Sequence, residues 1–174
     1  MRSIILSAAL ATAACLGGCE AGKWDVDAKG SEAAGAHPVP EPISLTLPQG
    51  IRLHPFTGTR TFDNNGGIRG IDVRIEASDA YGDATKAFGE FRFEMYDYAP
   101  NSIDPRGQRI ATWTESLQEP QKNLLHWDKI TRTYEFKLRW DQPIPVGRRF
   151  VLAAYFSSPF TPRLDAQRVF ISGQ

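Results

Sequence analysis

Three histidines and two cysteines are the side chains of this 174-residue chain best suited to nucleophilic or metal chemistry. A serine or cysteine nucleophile needs a neighbouring base, and the base needs a group that orients it. The only pairing of interest is His126 with Asp128, because His37 lies in a Pro-rich stretch and His54 lies beside Pro55. No G-x-S-x-G nucleophile elbow is present. We therefore expect His126 to be a loop histidine, and we predict that the protein is not an enzyme.

Metal and cofactor motifs are also missing from the sequence. Zinc would need closely spaced His, Cys or carboxylate ligands, and neither H-x-x-x-H nor C-x-x-C occurs. Calcium could use Asp63, Asn65, Asp79 and Asp83, but these residues lie in two turns at opposite ends of one strand and should not converge. Phosphate loops and dinucleotide fingerprints are absent. We predict no metal and no cofactor.

The two cysteines follow an apolar N-terminal segment. Arg2 supplies one positive charge, and residues 4–14 are rich in Ile, Leu and Ala and carry none. This run is about half of the ~20 residues that span a bilayer, so it fits the hydrophobic region of a secretory signal peptide. The leader therefore predicts export from the cytoplasm.

Residues 16–19, Leu-Gly-Gly-Cys, resemble the lipobox of bacterial lipoproteins. The resemblance implies that residues 1–18 are removed and that the Cys19 thiol accepts a diacylglyceryl group. Cys15 leaves with the leader, so no disulfide remains. Glu20 follows where enterobacterial sorting would read an Asp as an inner-membrane signal. The resemblance therefore implies a cell-envelope protein bound to a membrane through acylated Cys19, in the outer membrane and facing the periplasm or the cell surface.

Residues 19–42 have the composition of a flexible tether, because Ala, Gly, Glu and Pro dominate and no apolar period is visible. Such a chain spans on the order of 25 Å root-mean-square. Trp24 is the exception in this stretch. It either sits among lipid headgroups, where Trp is favoured, or is exposed without a role.

Residues 43–174 predict a single domain of β-strands. Apolar and polar residues alternate in most of the chain, which is typical of antiparallel strands with one solvated face. The predicted strands cover residues 43–47, 71–78, 91–95, 133–140, 149–157 and 167–172. The run at 149–157 is apolar on both faces and predicts a central strand. Residues 119–130 could form a short helix or a loop.

Several short strands separated by turns indicate an antiparallel β-sandwich, with a small barrel as the alternative. Residues 70–77, the turn at 79–83 and the strand at 89–93 resemble the strand–turn–strand unit of Ig-like and transthyretin-like modules on bacterial surface proteins. The cysteine pair of antibody domains is absent. The resemblance implies an Ig-like sandwich of uncharacterised function.

The composition excludes nucleic acid as a partner, because 20 Lys and Arg balance 20 Asp and Glu. Sugar binding would need exposed aromatic faces, for which the candidates are Trp113, Trp127, Trp140, Tyr96 and Tyr98. We expect the three Trp side chains to belong to the core. The sequence thus predicts a structural or binding module whose partner is an unknown protein or glycan. A carbohydrate-binding or enzyme-accessory module and a subunit of a secretion or transport complex remain alternatives.

Overall fold

A computed structural model describes residues 43–62 and 68–173. The predicted signal peptide, the tether with Cys19, and the turn at 63–67 lie outside the described residues. No helix in the described part of the chain is both long enough and apolar enough to cross a bilayer.

The described residues form nine strands, one α-helix and one 3-10 helix, Ile43–Thr46. The elements are β1 (Gly50–Leu53), β2 (Gly58–Arg60), β3 (Gly70–Ser78), β4 (Glu90–Tyr98), β5 (Arg106–Ser116), α1 (Pro120–His126), β6 (Trp127–Asp128), β7 (Thr133–Arg139), β8 (Arg149–Ser157) and β9 (Leu164–Ile171). One sheet has the order β1-β3-β7-β6, with β2 pairing the far end of β3, and the other has the order β5-β4-β8-β9. All pairings are antiparallel, which confirms the predicted all-β sandwich.

The strand order corresponds to that of an immunoglobulin-type sandwich. If β1 and β2 count as one interrupted first strand, the two sheets read A-B-E-D and C′-C-F-G. The segment quoted for the strand–turn–strand resemblance contains β3 and β4, which belong to different sheets. The turn after β3 is therefore a crossover between the sheets and not a hairpin within one of them.

Alternation along β3 and β7 places the predicted core residues on the inner face. Val73 and Phe136 are cross-strand partners, as are Ile75 and Tyr134, and all four side chains are buried. Residues opposite each other in a ladder point to the same side of the sheet, so one apolar face results. The predicted phase of both strands is confirmed.

Aromatic rings join the two sheets at the centre of the sandwich. The ring of Phe91 lies 5.4 Å from that of Phe136 and 4.8 Å from that of Phe156, and Phe93 lies 5.1 Å from Phe136. These spacings fall in the range of favourable aromatic pairs. Phe91 and Phe93 belong to β4 and Phe136 to β7, so these contacts connect the two sheets, whereas Phe91 and Phe156 are partners within one sheet.

The predicted central strand is confirmed, because β8 lies between β4 and β9. Its inner residues join the core, and the outward residues Val151 and Ala153 are also buried. The last strand begins at Leu164, three residues before the predicted start.

Residues 43–47 and the strands at the sheet edges differ from the sequence-based expectation. The strand predicted at 43–47 is a 3-10 helix, in which the Leu47 N–H donates to the Ser44 carbonyl. Pro48 follows and has no N–H for a sheet ladder. β5 was not predicted, because none of its side chains is fully buried and its apolar residues are sparse. The short strands β1, β2 and β6 were not predicted either. The helical alternative for 119–130 is confirmed by α1.

Truncation of Phe136 should test the core assignment. Phe136→Ala removes a fully buried ring and should lower the free energy of unfolding by ~3–5 kcal/mol. Lys137→Ala is the matched control, since that side chain is 65% exposed, and it should change stability by less than ~0.5 kcal/mol. Urea melts of both variants measure the difference. Equal effects at the two positions would mean that the strand is out of register by one residue.

Candidate functional site

A cleft with charged side chains on both sides opens along the free edge of β7. It has a volume of about 430 Å³, within the ~300–1,000 Å³ typical of ligand pockets. We call it the β7-edge cleft. Its lining comes from β5, α1, β6 and β7 and consists of Glu115, Leu125, His126, Trp127, Asp128, Glu135 and Lys137.

The cleft exists because β6 is too short to cover its neighbour. β6 pairs only Trp127 and Asp128 with the first two residues of β7. Beyond that point the carbonyls of Glu135 and Arg139 receive side-chain donors, His126 Nδ1 at 2.9 Å and Trp113 Nε1 at 2.6 Å. Backbone direction alternates along a strand, so the peptide groups of Lys137 point to the same edge. Side chains thus protect an edge that no strand covers.

His126 is the last residue of α1 and not a loop residue as expected, and it is held there as a structural side chain. Its Nδ1 donates to the Glu135 carbonyl, which fixes the proton on that nitrogen in the neutral ring. The ring packs against that of Phe136 in a tilted arrangement with 4.7 Å between ring centroids, and Nε2 lies 4.0 Å from a carboxylate oxygen of Glu115. The nearest acidic group to the free nitrogen is therefore Glu115 and not Asp128, the partner considered from sequence.

Asp128 belongs to the turn between β6 and β7. Its Oδ1 accepts the Ile130 N–H at 2.8 Å, and its Oδ2 accepts the Thr131 hydroxyl at 2.8 Å. The Ile130 N–H and then the Thr131 hydroxyl lower the pKa of this carboxyl, with a further contribution from Arg74. The hydrogen bonds describe a turn-stabilising aspartate, and they do not connect it to His126.

Arg74 organises the charges on the outer face of the first sheet. Its guanidinium lies 3.2 Å from Glu135 and 3.5 Å from Asp128, and Lys137 approaches Glu135 at 3.8 Å. Asp72 lies on the same face but is nearly buried, and its closest cation is Arg60 at 3.8 Å. Burial raises the pKa of Asp72 above its usual value, and the nearby negative charge of Glu135 raises it further.

A buried hydrogen-bond network fixes α1 against the core and thereby places His126. The Tyr134 hydroxyl accepts the Ala87 N–H at 2.9 Å and donates to Asn123 Oδ1 at 2.9 Å. The Asn123 amide donates in turn to the carbonyls of Ala87 and Leu117, at 2.6 and 3.1 Å. Asn123 was not predicted from the sequence. An Asn on the apolar side of a helical turn was the available signal.

The aromatic candidates for sugar binding are mostly engaged with the protein. Trp113, Trp127 and Trp140 are half-buried and pack against the core, as expected. Tyr96 donates to Glu94, and burial together with this bond raises the pKa of Tyr96 to about 12. The Arg149 guanidinium lies over the Tyr98 ring at 5.6 Å.

The remaining candidates show local roles or lie outside the description. Asp79 accepts the N–H groups of Tyr81 and Asp83, a turn geometry. His54 accepts the Phe56 N–H. Asp63, Asn65, His37 and Cys19 are not among the described residues. Within residues 43–62 and 68–173, no three His, Cys, Asp or Glu side chains are placed to share a metal ion.

No protein-family model, no curated protein and no solved structure matches the chain. The fold alone therefore defines the class of this protein, which is a two-sheet antiparallel β-sandwich with immunoglobulin-type strand order. Function must then be argued from the chemistry of particular residues.

The pKa of Asp72 is raised and that of Asp128 is lowered, so substitutions at these two positions should have opposite effects on stability. The raised pKa of Asp72 means that protonation stabilises the fold, a contribution that is present below pH 3.8 and lost as pH rises through the folded-state pKa. Asp72→Asn should therefore exceed the wild type in unfolding free energy at pH 7, and the gain should shrink toward pH 4. Chemical denaturation across this range measures it.

Asp128→Asn is the matched control with the opposite sign. Because the pKa of Asp128 is lowered, its carboxylate stabilises the fold above pH 3.8, and this contribution disappears as pH falls through the folded-state pKa. The variant should be less stable than the wild type at pH 7, with a deficit that narrows on acidification. If both variants were less stable than the wild type by amounts that do not change with pH, the causes assigned to the two pKa shifts would be wrong.

Proposed function

We propose that this protein is a lipid-anchored protein of the bacterial cell envelope whose β-sandwich serves as a non-catalytic structural or binding module. The observation that carries the proposal is the Leu-Gly-Gly-Cys motif at 16–19, directly after an apolar leader. The two cysteines of the chain lie in this region, so the folded domain needs no disulfide. The proposed site of attachment is the Cys19 thiol.

The non-catalytic part of the proposal is supported by the way the cleft uses its titratable groups. His126 donates to a backbone carbonyl, Asp128 accepts a backbone N–H of its own turn, and Glu135 forms an ion pair with Arg74. General acid–base catalysis needs a base directed at a substrate proton and oriented by a second group. In the cleft these three side chains instead bind other groups of the polypeptide, and this supports a structural role for them.

Acylation should be lost selectively with Cys19. The wild-type protein should carry a thioether-linked diacylglyceryl group on an N-terminal Cys19, which mass spectrometry of the membrane fraction detects. Cys19→Ser should retain residues 1–18 and lack the lipid. Cys15→Ser is the matched control and should be processed normally, because position 15 is removed with the leader. An unmodified Cys19 thiol in the wild type would refute the proposal.

Saccharide binding in the β7-edge cleft is the second candidate. The specific observation is a cleft in which the half-buried Trp127 lies beside carboxylates and a lysine. Sugars bind through hydroxyl groups that pair with such charged side chains and through apolar ring faces that pack on aromatics. Glu115 and Lys137 supply the charged groups on the two sides of the cleft.

Oligomers of N-acetylglucosamine are a suitable probe for this second candidate. Glu115→Gln and Lys137→Ala should each weaken binding about tenfold, the equivalent of one charge-assisted hydrogen bond. Arg52→Ala, on the edge strand β1, is the control and should leave the affinity unchanged. Calorimetric titration measures the constants. Absence of binding, or equal losses in all three variants, would exclude the cleft as a sugar site.

A further inference from the structure

The exposed apolar side chains of the domain are concentrated at one end of the sandwich. Among the described residues, eleven large hydrophobic side chains are exposed. Four lie elsewhere: Phe56, Ile103, Val146 and Val169. The other seven belong to loops and short helices at the end where the described chain begins: Ile43, Tyr81, Phe88, Leu124, Leu125, Ile130 and Phe160.

Strand pairing shows that these segments share one end, which we call the N-proximal end. Glu90 opens β4 and pairs with Ser116 and Ser157, the last residues of β5 and β8. The loops at 79–89 and 158–163 and the segment at 117–132 therefore emerge together. The 3-10 helix joins them through the bond from the Ala80 N–H to the Leu45 carbonyl.

Part of this apolar surface is continuous. Leu47, Phe88, Pro120 and Leu124 line one groove of about 400 Å³ with the buried Leu117. The rings of Phe88 and Phe160 lie 5.6 Å apart. Leu124 and Leu125 project from α1 with exposed fractions of 56% and 80%. Clustered exposure of this kind marks an interaction surface, unlike singly scattered apolar residues.

Lysines accompany the apolar side chains. Lys86, Lys122 and Lys129 lie at the N-proximal end and are three of the four lysines in the domain. Lys122 pairs with Glu119 at 2.8 Å, and Lys86 lies over the Trp127 ring at 5.7 Å. Arg132 and Arg163 lie at the same end, as do five acidic residues: Asp79, Asp83, Glu90, Glu119 and Asp128. Leu, Phe and Lys side chains around one apolar surface are the composition that favours the headgroup region of a bilayer.

The position of Cys19 in the chain indicates what the apolar surface of the N-proximal end contacts. Cys19 precedes Ile43 by 24 residues, and Ile43 belongs to the N-proximal end. If Cys19 is acylated, the tether holds this end near the lipid surface at a high effective concentration, so a weak contact suffices. We propose that the N-proximal end docks on the bilayer through Phe88, Leu124 and Leu125; this inference rests on the proposed lipid anchor.

A lipid-sensing fluorophore on each end of the domain tests the docking. The acylated, processed protein is reconstituted into vesicles of phosphatidylethanolamine and phosphatidylglycerol. With Cys19 in a thioether, Leu124→Cys introduces the only free thiol, which accepts an environment-sensitive label. Ile103→Cys, in the β4–β5 loop at the opposite end, is the matched control. Spin-labelled lipids should quench the label at 124 at least threefold more than the label at 103.

A second substitution separates a specific surface from a general effect. Leu125→Asp should reduce the quenching of the label at 124 toward the control value, and Val146→Asp at the opposite end should not. Both positions are exposed, and thermal melts verify that each variant stays folded.

The outcomes distinguish the two proposals. Equal, weak quenching at 124 and 103 in protein that still floats with the vesicles would overturn the docking and leave the anchor standing; the apolar surface would then serve a protein partner. A free Cys19 thiol and failure to float would overturn the anchor itself.

Discussion

The contact between the two apolar sheet faces is the constraint on which the rest of the structure depends. Side chains alternate along every strand, so one choice of inner face determines the outer face as well. Once Phe91, Phe93 and Phe136 meet between the sheets, Arg74 and Glu135 must point outward, where they form the charge network beside the β7-edge cleft. A register shift of one residue in β7 would turn Phe136 toward solvent and Glu135 toward the core.

The core is coupled to the surface by a single buried hydroxyl. Tyr134 belongs to the aromatic cluster, and its hydroxyl bonds both the Ala87 backbone and the Asn123 side chain. An unsatisfied buried donor costs ~1–3 kcal/mol, so α1 has one favourable position. That position brings His126 to the Glu135 carbonyl and turns Leu124 and Leu125 toward solvent. The cleft and the N-proximal surface therefore depend on the same network.

The two proposed interaction surfaces have different chemistry and adjoin at Leu125, which lines the β7-edge cleft and also belongs to the N-proximal end. The β7-edge cleft is polar and is bordered by a strand edge that side chains protect. The N-proximal end is apolar with lysines around it, and the described chain begins there. The proposed docking of the N-proximal end on a bilayer would leave the outer faces of both sheets accessible.

The sequence by itself determined the elements whose alternation is strong. The apolar residues of β3, β4 and β7 predicted their phase, and the two-sided apolar run predicted the central position of β8. The lipobox resemblance needs no fold at all, since a peptidase reads it in an extended chain. The edges were beyond sequence reasoning. β5 has no fully buried side chain, and residues 43–47 alternate like a strand yet form a 3-10 helix before Pro48. Only the tertiary structure decided that His126 faces Glu115 rather than Asp128 and that seven exposed apolar side chains lie at one end of the domain. These arrangements bring together residues from different elements, and their geometry follows from how two twisted sheets pack, which no local pattern encodes.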